Sequence, residues 1–142
     1  MVIAIVITGL VGYFVYQAYP PQLSTPSPTD PADSINVSIE SSVYNFGEPV
    51  RITISNNGVY PITFRNAAFG LRILDAATLS PVFTFVSAQV LTELQPKIQK
   101  TFIWNQIGID GNQLPPGDYL AEVSGISSEG YDFAVTAHFA IE

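Results

Sequence analysis

Apolar positions along this chain follow two different patterns. The first sixteen residues, Met1 to Tyr16, carry no charge; the first acidic residue is Asp30 and the first basic one Arg51. From Ile35 onward, apolar residues instead alternate with polar ones. Ile35, Val37 and Ile39 share one parity, as do Val50, Ile52 and Ile54, with Arg51, Thr53 and Ser55 on the other. Alternation at period two puts one face of an extended strand in a core and the other toward water. The pattern resumes at Tyr60, Ile62 and Phe64, and again at Phe69, Leu71 and Ile73 with Arg72 outward. It is weaker over 82–86 and 90–94. Ile98, Phe102 and Trp104 share a face, Tyr119–Val123 follows, and the last strand, Phe133–Ile141, turns Phe133, Val135, Phe139 and Ile141 inward. Asn57-Gly58 predicts a tight hairpin, because both residues tolerate φ > 0. Pro115-Pro116-Gly117 predicts a further turn. Seven to nine short strands, with no helical periodicity after residue 20, predict a mainly β fold. The expectation is an immunoglobulin-like antiparallel β-sandwich over 35–142, behind one N-terminal hydrophobic helix. Ile52, Ile54, Phe64, Leu71, Phe102, Trp104 and Tyr119 are its expected core.

Residues 1–19 are expected to form a transmembrane or filament-core helix. At about 1.5 Å per residue, such a helix barely spans a hydrocarbon core of roughly 30 Å. Tyr13, Phe14, Tyr16 and Tyr19 crowd its C-terminal end, where an interfacial aromatic belt would sit, and Pro20-Pro21 stops it. A secretory signal peptide needs a basic start and a small-residue cleavage site, and neither is evident. A transmembrane anchor is normally oriented by flanking Lys or Arg, which this segment lacks. A segment whose short basic leader has already been removed explains that gap. Gly9 and Gly12 are the candidate helix-packing residues, since small side chains let helices approach closely. Residues 20–34 hold five prolines and read as an extended, rather stiff linker.

The architecture of an uncharged N-terminal helix followed by a small β-sandwich resembles that of archaeal type IV pilins. Within the β region, two stretches carry a second resemblance. One is Tyr44-Asn-Phe-Gly-Glu-Pro-Val-Arg-Ile-Thr-Ile-Ser-Asn-Asn-Gly58. The other comprises Leu94-Gln-Pro96, Phe102-Ile-Trp104, Gly111 and Leu114-Pro-Pro-Gly-Asp-Tyr119. Together they are similar to the BsuPI-like domain, named after an intracellular proteinase inhibitor, over about residues 35–125. These motifs are turns and core positions, so the resemblance implies the fold and carries over no inhibitory residue. The family often has Pro-Gly where this chain has Pro96-Lys97.

Composition narrows the function. With 12 acidic against 5 basic residues, the net charge is −7. No Lys/Arg stripe offers a nucleic-acid footprint, and the folded domain is not suited to anionic lipid. Without cysteine there is no disulfide, and no thiolate to bind metal or attack a substrate. His138 is the only histidine, on the parity of Ala134, Thr136 and Ala140. Asp132 is near it in sequence, but no nucleophile motif accompanies them. Asp110-Gly111-Asn112 resembles part of a calcium loop without its other ligands and reads as a turn. Glu129 and Asp132 flank another loop. Trp104 reads as a core aromatic. Asn36-Val37-Ser38 is a glycosylation sequon just after the linker. No catalytic residue, cofactor or metal is expected.

These features lead to the expectation of a non-enzymatic extracytoplasmic structural protein. It would be membrane-anchored or at the cell surface, a pilin-like subunit assembling through its N-terminal helix into a filament. Its partners through residues 1–19 would be copies of itself or membrane protein subunits, with the bilayer at least before assembly. The alternatives are a single-pass accessory subunit of a membrane complex, and a BsuPI-like proteinase inhibitor or ligand-binding module.

Overall fold

A computed structural model of the 142-residue chain describes residues 30–127 and 130–142. Residues 1–19 with Gly9 and Gly12, most of the 20–34 linker, and Glu129 lie outside the described residues. Among the described residues, no helix is long and apolar enough to cross a membrane. The described elements are one helical turn, α1 (Pro31–Ser34), and ten strands. They are β1 (Ile35–Ile39), β2 (Val43–Tyr44), β3 (Val50–Asn56), β4 (Ile62–Phe64), β5 (Arg72–Asp75), β6 (Pro81–Thr84), β7 (Thr92–Leu94), β8 (Gln99–Trp104), β9 (Gly117–Ile126) and β10 (Asp132–Ile141). The chain is mainly β, as the alternation predicts.

The smaller sheet has the order β1-β3-β8, all antiparallel, with Ile35 opposite Asn56 and Val50 opposite Trp104. The larger sheet is built on the long β9–β10 hairpin. One edge of β9 is shared: its first half pairs β5, its last residue pairs β4, and β6 and β7 lie outside those two. Alternation explains the burial. In β3, Val50, Ile52 and Ile54 are fully buried, and in β9 Tyr119, Ala121 and Val123 are buried between half-exposed neighbours. The inner faces meet at Trp104, which is 1% exposed. Its ring lies 6.1 Å from that of Phe139 and 6.5 Å from that of Tyr119, both on the other sheet. No buried side-chain polar atom lacks a partner among the described residues.

Four local expectations are corrected. The sandwich is not purely antiparallel: β2 pairs β10 in parallel, Val43 with Ala140 and Tyr44 with Ile141. The chain leaves β1 on the small sheet, turns at residues 40–42 and reaches the edge of the large one running the same way as β10. Asn57-Gly58 does not close a hairpin, because β3 and β4 belong to different sheets. Neither residue takes a positive φ. The buried Asn56 side chain sets this corner, donating to Tyr60 O (2.8 Å) and Leu94 O (2.9 Å) and accepting from Gly58 N (2.9 Å). Phe69 is buried but precedes β5, since Phe69 and Gly70 both turn left-handed, at φ 57° and 64°. A Cβ at Gly70 would meet the Ser124 carbonyl oxygen at 2.6 Å, so this turn lies directly on β9. Ile98 lies in a turn before β8 and is 46% exposed, while Phe102 is only half-buried. In that turn Lys97 takes φ 63°, a conformation suited to glycine.

Candidate functional site

Two buried amides organise the loops, and neither stands out in the sequence. Gln106 is 0% exposed, with φ 60°. Its Nε2 donates to Asn45 O (2.9 Å) and Glu48 O (2.8 Å). Its Oε1 accepts from Gly47 N (2.7 Å) and Gln113 Nε2 (3.1 Å). The side chain is fully satisfied and clamps the turn before β3 to the loop after β8. Asn56 does the same at the opposite end of the sandwich. Asn56 ends β3 on the inward parity of Val50, Ile52 and Ile54, whereas Gln106 lies in the loop after β8, where polarity is ordinary. At the start of β9, Tyr119 donates its hydroxyl to Pro115 O, four residues upstream, at 2.6 Å. Burial, and then the charge of Asp75, push its phenol above the usual value.

Several titratable groups gather on the outer face of the large sheet. A shallow depression of about 530 Å³ is lined by Arg65, Arg72, Gln89, Glu122, Ser124 and Asp132, among others. Cross-strand register places Arg72 opposite Glu122, and their Nε–Oε1 distance is 2.6 Å. Arg65 reaches Asp132 at 2.7 Å, with both side chains exposed. Each carboxylate therefore faces a guanidinium. A solvated, charge-balanced sheet face is the physical description of this depression.

The sequence-singled residues are not brought together. His138 is exposed on the outer face and pairs with Asp118 at 3.1 Å. Asp132 stands six positions away along β10, roughly 20 Å at about 3.3 Å per residue. Asp110 closes a local turn, accepting from Asn112 Nδ2 (2.9 Å) and Asn112 N (3.0 Å) around Gly111 at φ 79°. Those bonds, the Asn112 side chain's first, hold its carboxyl below the usual range. Asn36 is exposed on β1 between the buried Ile35 and Val37. Trp104 is a core residue whose Nε1 donates to Ile107 O at 3.0 Å. Among the described residues, no group of three or more His, Asp or Glu side chains could hold a metal.

Sequence comparison matches the chain to no protein-family model and to no curated protein. Solved structures share its β architecture. A chain of the Salmonella enterica SafA pilin–SafB chaperone complex aligns at 17% identity and TM-score 0.48, over 76% of this chain and 52% of its own. The E. coli chaperone DraB aligns at 19% and 0.44, over 75% and 54%. Spo0M, a sporulation control protein from Bacillus subtilis, aligns at 14% and 0.43, over 77% and 49%. The chain spans about half the length of these proteins. They are resemblances of fold alone.

Proposed function

We propose that this chain is a non-enzymatic structural protein of the outer side of a membrane, a pilin-like subunit. Residues 1–19 form an apolar helix that sits in lipid before assembly and packs against copies of itself afterwards, while the sandwich forms the outer sheath. The observation that carries this reading is polarity along the molecule. The uncharged segment and the proline-rich linker feed into one end of the sandwich, at α1 and β1, beside the Asn57–Pro61 loop and the β9–β10 turn. From that end β10 runs ten residues, about 33 Å, to the other. In this reading the domain is a stalked body.

Within this reading the sandwich is immunoglobulin-like and of the BsuPI-like type. Its support is the β1-β3-β8 strand order facing the β9–β10 hairpin, and the Tyr119–Pro115 bond, which has the form of a tyrosine corner. Asn36 is its candidate glycosylation acceptor, and intact mass with and without Asn36→Gln tests that assignment. The assembly test is Gly12→Leu. The bulkier side chain keeps identical helices apart, so filaments seen by electron microscopy should disappear while the β circular-dichroism signal persists. Normal filaments from that variant would remove Gly12 from the interface.

A further inference from the structure

We infer that the end of the sandwich where the stalk enters rests on the membrane surface, with Tyr60, Val59, Ile98 and Tyr131 as its contact. This inference deepens the reading above and rests on its lipid-embedded state before assembly. The loop 57–61 and the turn 95–98 are joined into one rim. Asn56 N donates to Ile98 O at 3.0 Å, Asn56 Nδ2 donates to Tyr60 O at 2.8 Å, and Lys97 Nζ donates to Asn57 O. On that rim Val59 is 71% and Tyr60 72% exposed. Tyr131, on the β9–β10 turn at the same end, is 70% exposed. Tyrosine with small aliphatic neighbours suits the boundary between headgroups and acyl chains, where the ring sits in an apolar layer and the hydroxyl stays wet.

Exposure alone does not choose this end, since Phe46 and Ile109 are also exposed at the other. The tether chooses it. Residues 20–30 are eleven positions, spanning about 34 Å even as an extended proline helix at about 3.1 Å per residue. α1 fixes where that tether joins: Ser34 O accepts from Asn57 N at 2.8 Å, next to the rim. Because the tether joins at this end, the rim is the part of the domain held within about 34 Å of the bilayer. The net charge of −7 disfavours anionic lipid and makes a zwitterionic surface the partner.

The test uses the full chain reconstituted in phosphatidylcholine vesicles whose acyl chains are brominated near the headgroup. Tyr60→Trp and Ile109→Trp each add an indole to an exposed loop, and the buried Trp104 supplies the same background in both. The bromines should quench most of the emission added at residue 60 and little of that added at 109. A chain that floats with the vesicles but shows no quenching at residue 60 overturns the contact and leaves the anchor standing. Equal quenching at both positions also overturns it, since the domain then has no preferred end. A chain that does not float overturns the lipid reading, and this inference with it.

Discussion

Gln106 occupies a left-handed backbone position and has every hydrogen-bonding site of its amide filled. Replacing it with Ala leaves the Glu48 carbonyl and the Gly47 N–H without this partner, while Asn45 O keeps the Glu48 N–H. The expected loss is about 2–4 kcal/mol, at roughly 1–3 per unsatisfied group, read by chemical denaturation. Tyr119→Phe removes only the bond to Pro115 O and should cost about 1 kcal/mol. It should also change the alkaline limb of the stability curve. The Tyr119 phenol is raised in the folded chain, so the unfolded chain loses that proton first. Stability is then fully present below about pH 10, the ordinary phenol value, and declines as pH rises through the folded one. The Phe variant should lack that part of the decline. Asp75 has the opposite sign. The Thr78 amide, above all, holds its carboxyl low, so its contribution is present above the ordinary carboxylate range and is lost as pH falls through the folded value. Residues of this kind were the least legible in the sequence. Ile52, Ile54 and Trp104 announce burial by parity and size; Asn56 shares the inward parity of Val50, Ile52 and Ile54 but not their apolar character, and Gln106 lies in the loop beyond β8.

Strands were legible where alternation is long and one-sided, as in β3, β9 and β10. They were misread where a turn imitates another element. Asn57-Gly58 has the composition of a two-residue hairpin, yet the buried Asn56 side chain sends the chain across to the other sheet. The same corner makes a prediction. A methyl at Gly58 would lie 2.7 Å from Ser34 Oγ and 2.8 Å from Ser34 Cβ. Gly58→Ala should therefore cost about 1–3 kcal/mol through crowding against α1. Thermal melts of Gly58→Ala and of Gly58→Ala with Ser34→Gly separate this from backbone strain, because only crowding is relieved by the second change. Trp104 joins the two sheets, and Trp104→Ala should cost about 3–5 kcal/mol, since the remaining core cannot close over so large a space. A loss under about 1 kcal/mol would place that ring at the periphery.

Among the described residues, no group of His, Asp or Glu side chains is placed to hold a metal. Ion pairs such as Arg65–Asp132 and Arg51–Glu40 are exposed and contribute little. His138→Gln should leave stability and assembly nearly unchanged, and an activity abolished by that change would overturn the non-enzymatic proposal. The proposed polarity of the molecule comes from the uncharged first nineteen residues, whose character is plain in the sequence and whose destination is the central claim. Electron microscopy of the unaltered full chain after detergent removal tests that claim most directly. The account predicts filaments with a core of packed helices and the sandwiches outside. Monodisperse particles of single chains, with the β domain folded and no filament at any concentration, would contradict it.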